Sequence, residues 1–339
     1  MKPLAILAGL LALSLVGCKG DSTNTTGTAG GEQPGKGGAS KSIKVALLTP
    51  GPVSDSGWNA MAYEGLVAIK NEQGATVQNQ EAAGEGQIKD AMRQYAQDGY
   101  NLVIGHGFEY NGVAKEIAAD FPNTAFVSSS GAQSGPNFGA FRFYLEQGFY
   151  LAGMMAAGMS KTGVVAVVGL DVPSIRSTFK GFIAGAKAVR PDIKIVEKYV
   201  PLPGTDIAAY KQSTLAAIDE KADFIMHQAN QGAQAVFDAA KEKGVLCFGA
   251  NANQNNNPSG VVIASAVIIA KPAFLDLAKE VAEGKYKGRV QLFGMDKGAI
   301  DFVVNPAMAD KVPGELMSKI QQARTEIATG KLVVPKDEF

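Results

Sequence analysis

The chain has 339 residues, 46% of them apolar and 19% charged, and its 32 basic side chains are balanced by 32 acidic ones. That length allows roughly two domains, each with an interior of its own, and a net charge of zero without a basic stripe argues against a nucleic-acid partner. Two cysteines and two histidines supply neither a disulfide framework nor a His-based metal site, and nothing in the sequence calls for a cofactor.

In chain order, one lysine, Lys2, precedes an apolar run from Leu4 to Leu15 that leads into Val16-Gly17-Cys18. The run is shorter than the roughly 20 residues a spanning helix needs and fits the core of a secretory signal. Small residues ahead of a cysteine suit a lipoprotein cleavage site. Residues 1–18 are therefore expected to be a lipoprotein signal peptide and Cys18 the acylated residue; an ordinary signal peptide with an incidental cysteine is the alternative. Residues 19–42 are rich in Gly, Ser and Thr, with no apolar side chain larger than Ala besides Pro34. Such a stretch cannot offset the entropy of ordering and is expected to be a flexible tether with a reach of roughly 25 Å. The expected location is the cell envelope, with the lipid on Cys18 attaching the chain to the membrane.

From Ile43 onward, short apolar runs alternate with stretches of helical period. Strands are expected at 44–49, 101–106, 124–129, 163–169, 193–200, 223–227, 245–249 and 261–267. Their near-continuous apolar character suits parallel sheets covered on both faces. Helices are expected at 58–72, 86–98, 111–120, 146–159, 175–189, 207–220 and 233–243, from apolar spacing near 3.6. Alternating β and α units imply a doubly wound, Rossmann-like α/β fold, and so many units imply two lobes. Turn-rich 131–139 (GAQSGPNFG) and Asn-rich 251–260 (NANQNNNPSG) mark the expected crossings. Lobe 1 is then 43–132 plus about 261–290, and lobe 2 is 133–260 plus about 291–339.

Enzyme motifs are missing. Gly105-x-Gly107 lacks the third glycine of a dinucleotide fingerprint, and no Gly-x-x-x-x-Gly-Lys-Ser/Thr occurs. Ser128-Ser129-Ser130 is not a nucleophile elbow, and Cys247 sits in an expected buried strand. Ligands of open α/β sheets bind at the carboxyl ends of strands, which makes His106, Phe108, Glu109, Ser129, Ser130, Gln228 and Asn230 candidates. For His106 and His227 a satisfied edge histidine is the equal alternative. Phe179 is a further candidate, with packing the preferred alternative, and Asp171 ahead of Pro173 is expected to cap a helix.

Several segments resemble the basic membrane protein family of bacterial lipoproteins, substrate-binding proteins of the purine-nucleoside-receptor type. The resemblance rests on Asp55-Ser56-Gly57-Trp58-Asn59, Gly105-His106-Gly107-Phe108, Glu146-Gln147-Gly148-Phe149-Tyr150-Leu151-Ala152-Gly153, Gly169-Leu170-Asp171-Val172-Pro173 and Val236-Phe237-Asp238-Ala239-Ala240-Lys241-Glu242-Lys243-Gly244-Val245. It implies two lobes of the type I periplasmic-binding-protein kind, joined by three crossovers and closing over a small molecule. The implied partner is an ABC transporter permease, and the implied form a monomer without catalytic activity. Trp58 and Asn59 match the family's aromatic-Asn pair, with Trp58 stacking on a base; a core tryptophan is the alternative. Asn251-Ala252-Asn253-Gln254 stands where the family often has Asp-Ser-Asp-Gln, which makes Asn251 and Asn253 candidates. Pro50 replaces a common aspartate and Ile268 a common lysine, so a more neutral cleft is expected. A nucleoside is the first expected ligand, ahead of another neutral heterocycle such as a flavin, or a sugar. A ligand sensor for a membrane signalling partner is the alternative to transport.

Overall fold

The computed structural model describes residues 42–338 apart from 56 and 203. The expected signal peptide, Cys18 and all of the tether but Ser42 lie outside the described residues. The chain begins with β1 (Lys44–Thr49), α1 (Trp58–Gln73), β2 (Thr76–Glu81), α2 (Glu85–Gln97), β3 (Leu102–Gly105), α3 (Glu109–Ile117), β4 (Ala125–Ser129) and β5 (Phe138–Phe143). It continues with α4 (Glu146–Met159), β6 (Val164–Leu170), α5 (Pro173–Val189), β7 (Lys194–Val200), α6 (Ile207–Asp219), β8 (Phe224–Gln228), α7 (Ala233–Lys243), β9 (Leu246–Asn251) and β10 (Val262–Ile268). Then come α8 (Lys271–Ala282), β11 (Val290–Phe293), β12 (Ile300–Val304) and α9 (Gly314–Ala328).

These strands form two six-stranded sheets, ordered β11-β5-β4-β3-β1-β2 and β12-β10-β9-β8-β6-β7. The first is parallel throughout; in the second only β12 runs antiparallel, against β10. Both contain the same winding, 5-4-3-1-2 and 10-9-8-6-7, so each sheet reverses direction at one point, between β1 and β3 and between β6 and β8. Two doubly wound α/β lobes follow, as the alternation of elements implied. Near-continuous apolar strands such as β1 are buried along almost their whole length, because helices cover both faces of each sheet.

The chain crosses between lobes three times, at places other than those expected for the first two. Residues 131–139 are not a crossing: β5 pairs in parallel with β4 and completes the first lobe. The turn before it is pinned within that lobe by Asn137, whose Nδ2 donates to the carbonyls of Ala118, Phe121 and Thr124 at 2.9–3.0 Å. The Asn-rich loop is not a crossing either. Asn255 Nδ2 donates to Val303 C=O (3.0 Å) and Asn255 Oδ1 accepts from Ser265 Oγ (2.8 Å), so the loop folds onto its own lobe and β10 stays in the second sheet. The crossings run from β5 to α4, from β10 to α8 and from β11 to β12, the last within a few residues of the expected place.

Two helices brought in by these crossings seal the lobes. Helix α8 packs on α1, with Phe274 filling the space where a Cβ on Gly65 would come within 2.6 Å of its ring. Helix α4 packs on α5 so closely that a Cβ at Gly185 would lie 1.9 Å from Tyr150 C=O, and one at Gly153 2.0 Å from Phe182 C=O.

Candidate functional site

A cleft of about 250 Å³ lies where the carboxyl ends of the two sheets face each other, the position at which doubly wound sheets accept ligands. The first lobe contributes Trp58, Phe108, Glu109 and Ser130; the second contributes Leu170, Ile175, Tyr210, Gln228, Asn230 and Asn251. The crossovers add Arg142, Phe143, Leu145, Glu146 and Ile268.

Trp58 is the first residue of α1, and its ring stacks on His106 with centroids 4.0 Å apart and planes 24° from parallel. His106 is completely buried. Its Nε2 lies 2.9 Å from Trp58 C=O and its Nδ1 2.7 Å from Ser129 Oγ. A carbonyl only accepts, so Nε2 carries the proton and Nδ1 accepts from the serine. Burial, against a smaller opposing effect of the Trp58 hydrogen bond, pushes the His106 pKa down to about 3, and the ring is neutral. His106 and Ser129, expected to meet a ligand, instead stand behind Trp58 and hold its ring and backbone in place. Asn59 is also buried outside the cleft, its N–H bonded to Asp55 Oδ2 at 2.9 Å.

Phe108 is 51% exposed at the mouth. Burial raises the pKa of its neighbour Glu109. On the facing lobe, Asn251 Nδ2 donates to Gln228 Oε1 at 3.2 Å, and Asn251 Oδ1 is buried without a hydrogen-bond partner among the described residues. Three cleft residues hold positive φ without being glycine: Ser130 (117°), Asn230 (43°) and Asn251 (67°). Such conformations cost about 1–3 kcal/mol each and concentrate at binding sites.

Other expected residues fall elsewhere. Phe179 is fully buried between Phe149 and Tyr199, with ring centroids 6.2 and 5.8 Å away; it is core, because α5 turns that face onto α4. Asn253 is exposed and does not line the cleft. Its Oδ1 accepts Asn255 N–H at 3.1 Å, which shapes the loop. His227 is buried behind the site with Nε2 3.1 Å from Gln254 Oε1, and burial lowers its pKa to about 4. Asp171 does not cap α5, whose cap residue Val172 offers no side-chain acceptor; Asp171 pairs with Arg176 at 2.6 Å. Of the departures from the family pattern, Asn251 and Ile268 line the cleft and Pro50 does not.

Sequence reasoning missed a charged pair in the cleft wall. Arg142 and Glu146 form a buried ion pair four residues apart. Ser177 Oγ donates to Glu146 Oε1 and accepts from Arg142 Nη2 (3.1 Å) and Asp337 N–H (2.8 Å). Burial raises the Glu146 pKa, with the Arg142 charge opposing it. The cleft wall thus carries a compensated ion pair, which adds no net charge, and one further carboxyl, Glu109. An arginine inside the otherwise apolar run Phe138–Phe143, with a glutamate four residues on, was the available signal. Among the described residues no group of three His, Cys, Asp or Glu could hold a metal ion, and no helix is long and apolar enough to cross a membrane.

Residues 42–338 match the family described as ABC transporter substrate-binding protein PnrA-like (Bmp). The transcriptional activator protein Med of Bacillus subtilis is 28% identical over 310 residues, 91% of this chain and 94% of that protein. The ABC transporter nucleoside-binding protein BmpA of Lactococcus lactis is 26% identical, with 99% of both chains covered. A solved ABC transporter solute-binding protein from Conexibacter woesei superposes with a TM-score of 0.72 at 25% identity, covering 87% of this chain and 99% of that one.

Proposed function

Because the chain belongs to the Bmp family of PnrA-like ABC transporter substrate-binding proteins, we propose that it captures a nucleoside between its lobes and hands it, chemically unchanged, to a membrane permease. The observation that carries this reading is Trp58: a flat aromatic wall, backed by a neutral buried imidazole, facing a lobe that offers the amides of Gln228 and Asn251. A flat heterocycle stacked on such a ring gains about 1–3 kcal/mol, and amide edges present both donors and acceptors to it. The Lactococcus relative, named as nucleoside-binding, supports the same ligand class. One chain supplies both walls of the cleft, so a monomer suffices. The Val16-Gly17-Cys18 motif and the Gly/Ser/Thr stretch behind it support attachment to the cell envelope through a lipid on Cys18; stable anchoring takes more than one acyl chain. The name of the Bacillus relative, a transcriptional activator, favours a second reading in which the same closure reports the ligand to a signalling partner.

Thermal unfolding with a panel of nucleosides, nucleobases, flavins and sugars tests the ligand class. A ligand at 100 times its dissociation constant adds about 2.7 kcal/mol, a clear rise in Tm. A rise with nucleosides, and their recovery intact by mass spectrometry, is the expected result. An unchanged Tm with every nucleoside refutes the assignment.

A further inference from the structure

Asn230 lies on the loop after β8, in the second lobe, yet both of its side-chain hydrogen bonds reach the first. Its Oδ1 accepts Trp58 N–H at 3.2 Å and its Nδ2 donates to Asp55 Oδ2 at 3.2 Å. Two residues ahead of the cap residue Gly57, the Asp55 carboxylate satisfies the start of α1, accepting the N–H groups of Gly57 (3.0 Å), Asn59 (2.9 Å) and Ala60 (2.9 Å). The Trp58 N–H is one of the first-turn donors that a helix cannot satisfy internally, and here the opposite lobe supplies its acceptor. The seat is shaped for the amide: a Cβ on Gly57 would lie 2.5 Å from Asn230 Oδ1. The Asn230 backbone sits at φ 43°, a conformation that asparagine tolerates better than most residues. A side-chain amide carries a donor and an acceptor side by side, and one of the two bonds is charge-assisted by the Asp55 carboxylate.

We propose that Asn230 is the closing latch of the cleft, a positioning residue that engages the N-terminus of α1 when the lobes meet and so sets how long a captured molecule stays. Trp58 is both cleft wall and latch seat, and closure therefore fixes the backbone of the residue that faces the ligand. The inference takes from the proposed function only that the cleft opens and closes; it holds for any ligand class.

The test needs no ligand. Trp58 is the only tryptophan of the chain, so acrylamide quenching of the full chain in detergent reports whether the cleft is shut over it. Asn230→Asp sets a carboxylate against Asp55, and Asn230→Gly removes the amide while suiting the backbone. Each is expected to raise the quenching constant about twofold or more. The double variant Asp55→Asn with Asn230→Asp exchanges donor and acceptor across the seat, keeps the acceptor for the N–H groups of Gly57 and Ala60 but gives up the one for Asn59 N–H, and is expected to bring quenching part of the way back to the wild-type value. Circular dichroism establishes that each variant is folded; if Asn230→Asp is not, Asn230→Gly decides. Wild-type quenching in the folded single variants, or no recovery in the double variant, overturns the latch. A chain that ignores every nucleoside still answers this experiment, so the two proposals fail separately.

Discussion

Replacing His106 by leucine tests the support behind the cleft wall. The imidazole is fully buried, donates from Nε2 to Trp58 C=O and accepts at Nδ1 from Ser129 Oγ. Leucine restores neither bond, and a buried polar group left without a partner costs about 1–3 kcal/mol. Ser129 Oγ is left without its partner while Trp58 C=O keeps its bond within α1, so His106→Leu is expected to destabilise the chain by about 1–3 kcal/mol at pH 7. A second, more specific effect concerns pH. The unfolded chain protonates this histidine at its ordinary value near 6.5, whereas the folded chain holds it neutral down to about 3. The unfolded state thus binds the proton that the folded state refuses, and stability falls as pH drops below about 6.5 until the folded pKa is reached. Between pH 7 and pH 5 this amounts to about 2 kcal/mol for His106. His227, lowered to about 4 by burial, contributes a similar amount, about 2 kcal/mol. The variant should therefore lose about 2 kcal/mol less than the wild type over the same interval. Urea unfolding at the two pH values, followed by Trp58 emission, measures the difference, and the imidazole C–H resonances of the folded protein give the titration directly. An identical pH dependence in the variant, or a His106 resonance that titrates near 6.5 in the folded chain, refutes the reasoning.

Trp58→Ala is expected to weaken a stacked ligand by about 1–3 kcal/mol, about five- to 160-fold in Kd by calorimetry, with the apo fold retained; equal affinity would remove Trp58 from the site. Phe179→Ala should cost about 3–5 kcal/mol of stability, as large core truncations do, while ligand Kd stays within twofold; a large loss of affinity at unchanged stability would return Phe179 to the cleft. Cys18→Ser is expected to move the protein from the membrane fraction to the soluble fraction, and persistent membrane association would contradict a lipid anchor.

The pattern of the chain made much of the fold legible. Runs such as Val164–Leu170 are apolar throughout because both sheet faces are covered, and helices such as α5 carry their buried positions at helical spacing. Less legible were elements whose surroundings are unusual. Strand β2 reads TVQNQE because it is an exposed edge, and β11 and β12 are short, partly exposed edge strands. Around the site, the loops at the carboxyl ends were identifiable, but the direction of each side chain was not. Ser129 and Ser130 are neighbours, yet the first turns inward to His106 and the second lines the cleft, since the chain leaves β4 after Ser129 and turns at Ser130 with φ 117°.

The sequence by itself determined the alternation of strands and helices and the glycine- and asparagine-rich loops at the strand ends, because each of these is written in neighbouring residues. Only the tertiary structure decided that β5 stays with the first sheet and β10 with the second, that the Arg142–Glu146 pair is buried against Ser177 and Asp337 in the cleft wall, and that Asn230 reaches Asp55 and Trp58. Those pairings join segments as much as 175 residues apart. Their partners are selected by the packing of two whole lobes, which no local pattern of charge or hydrophobicity encodes.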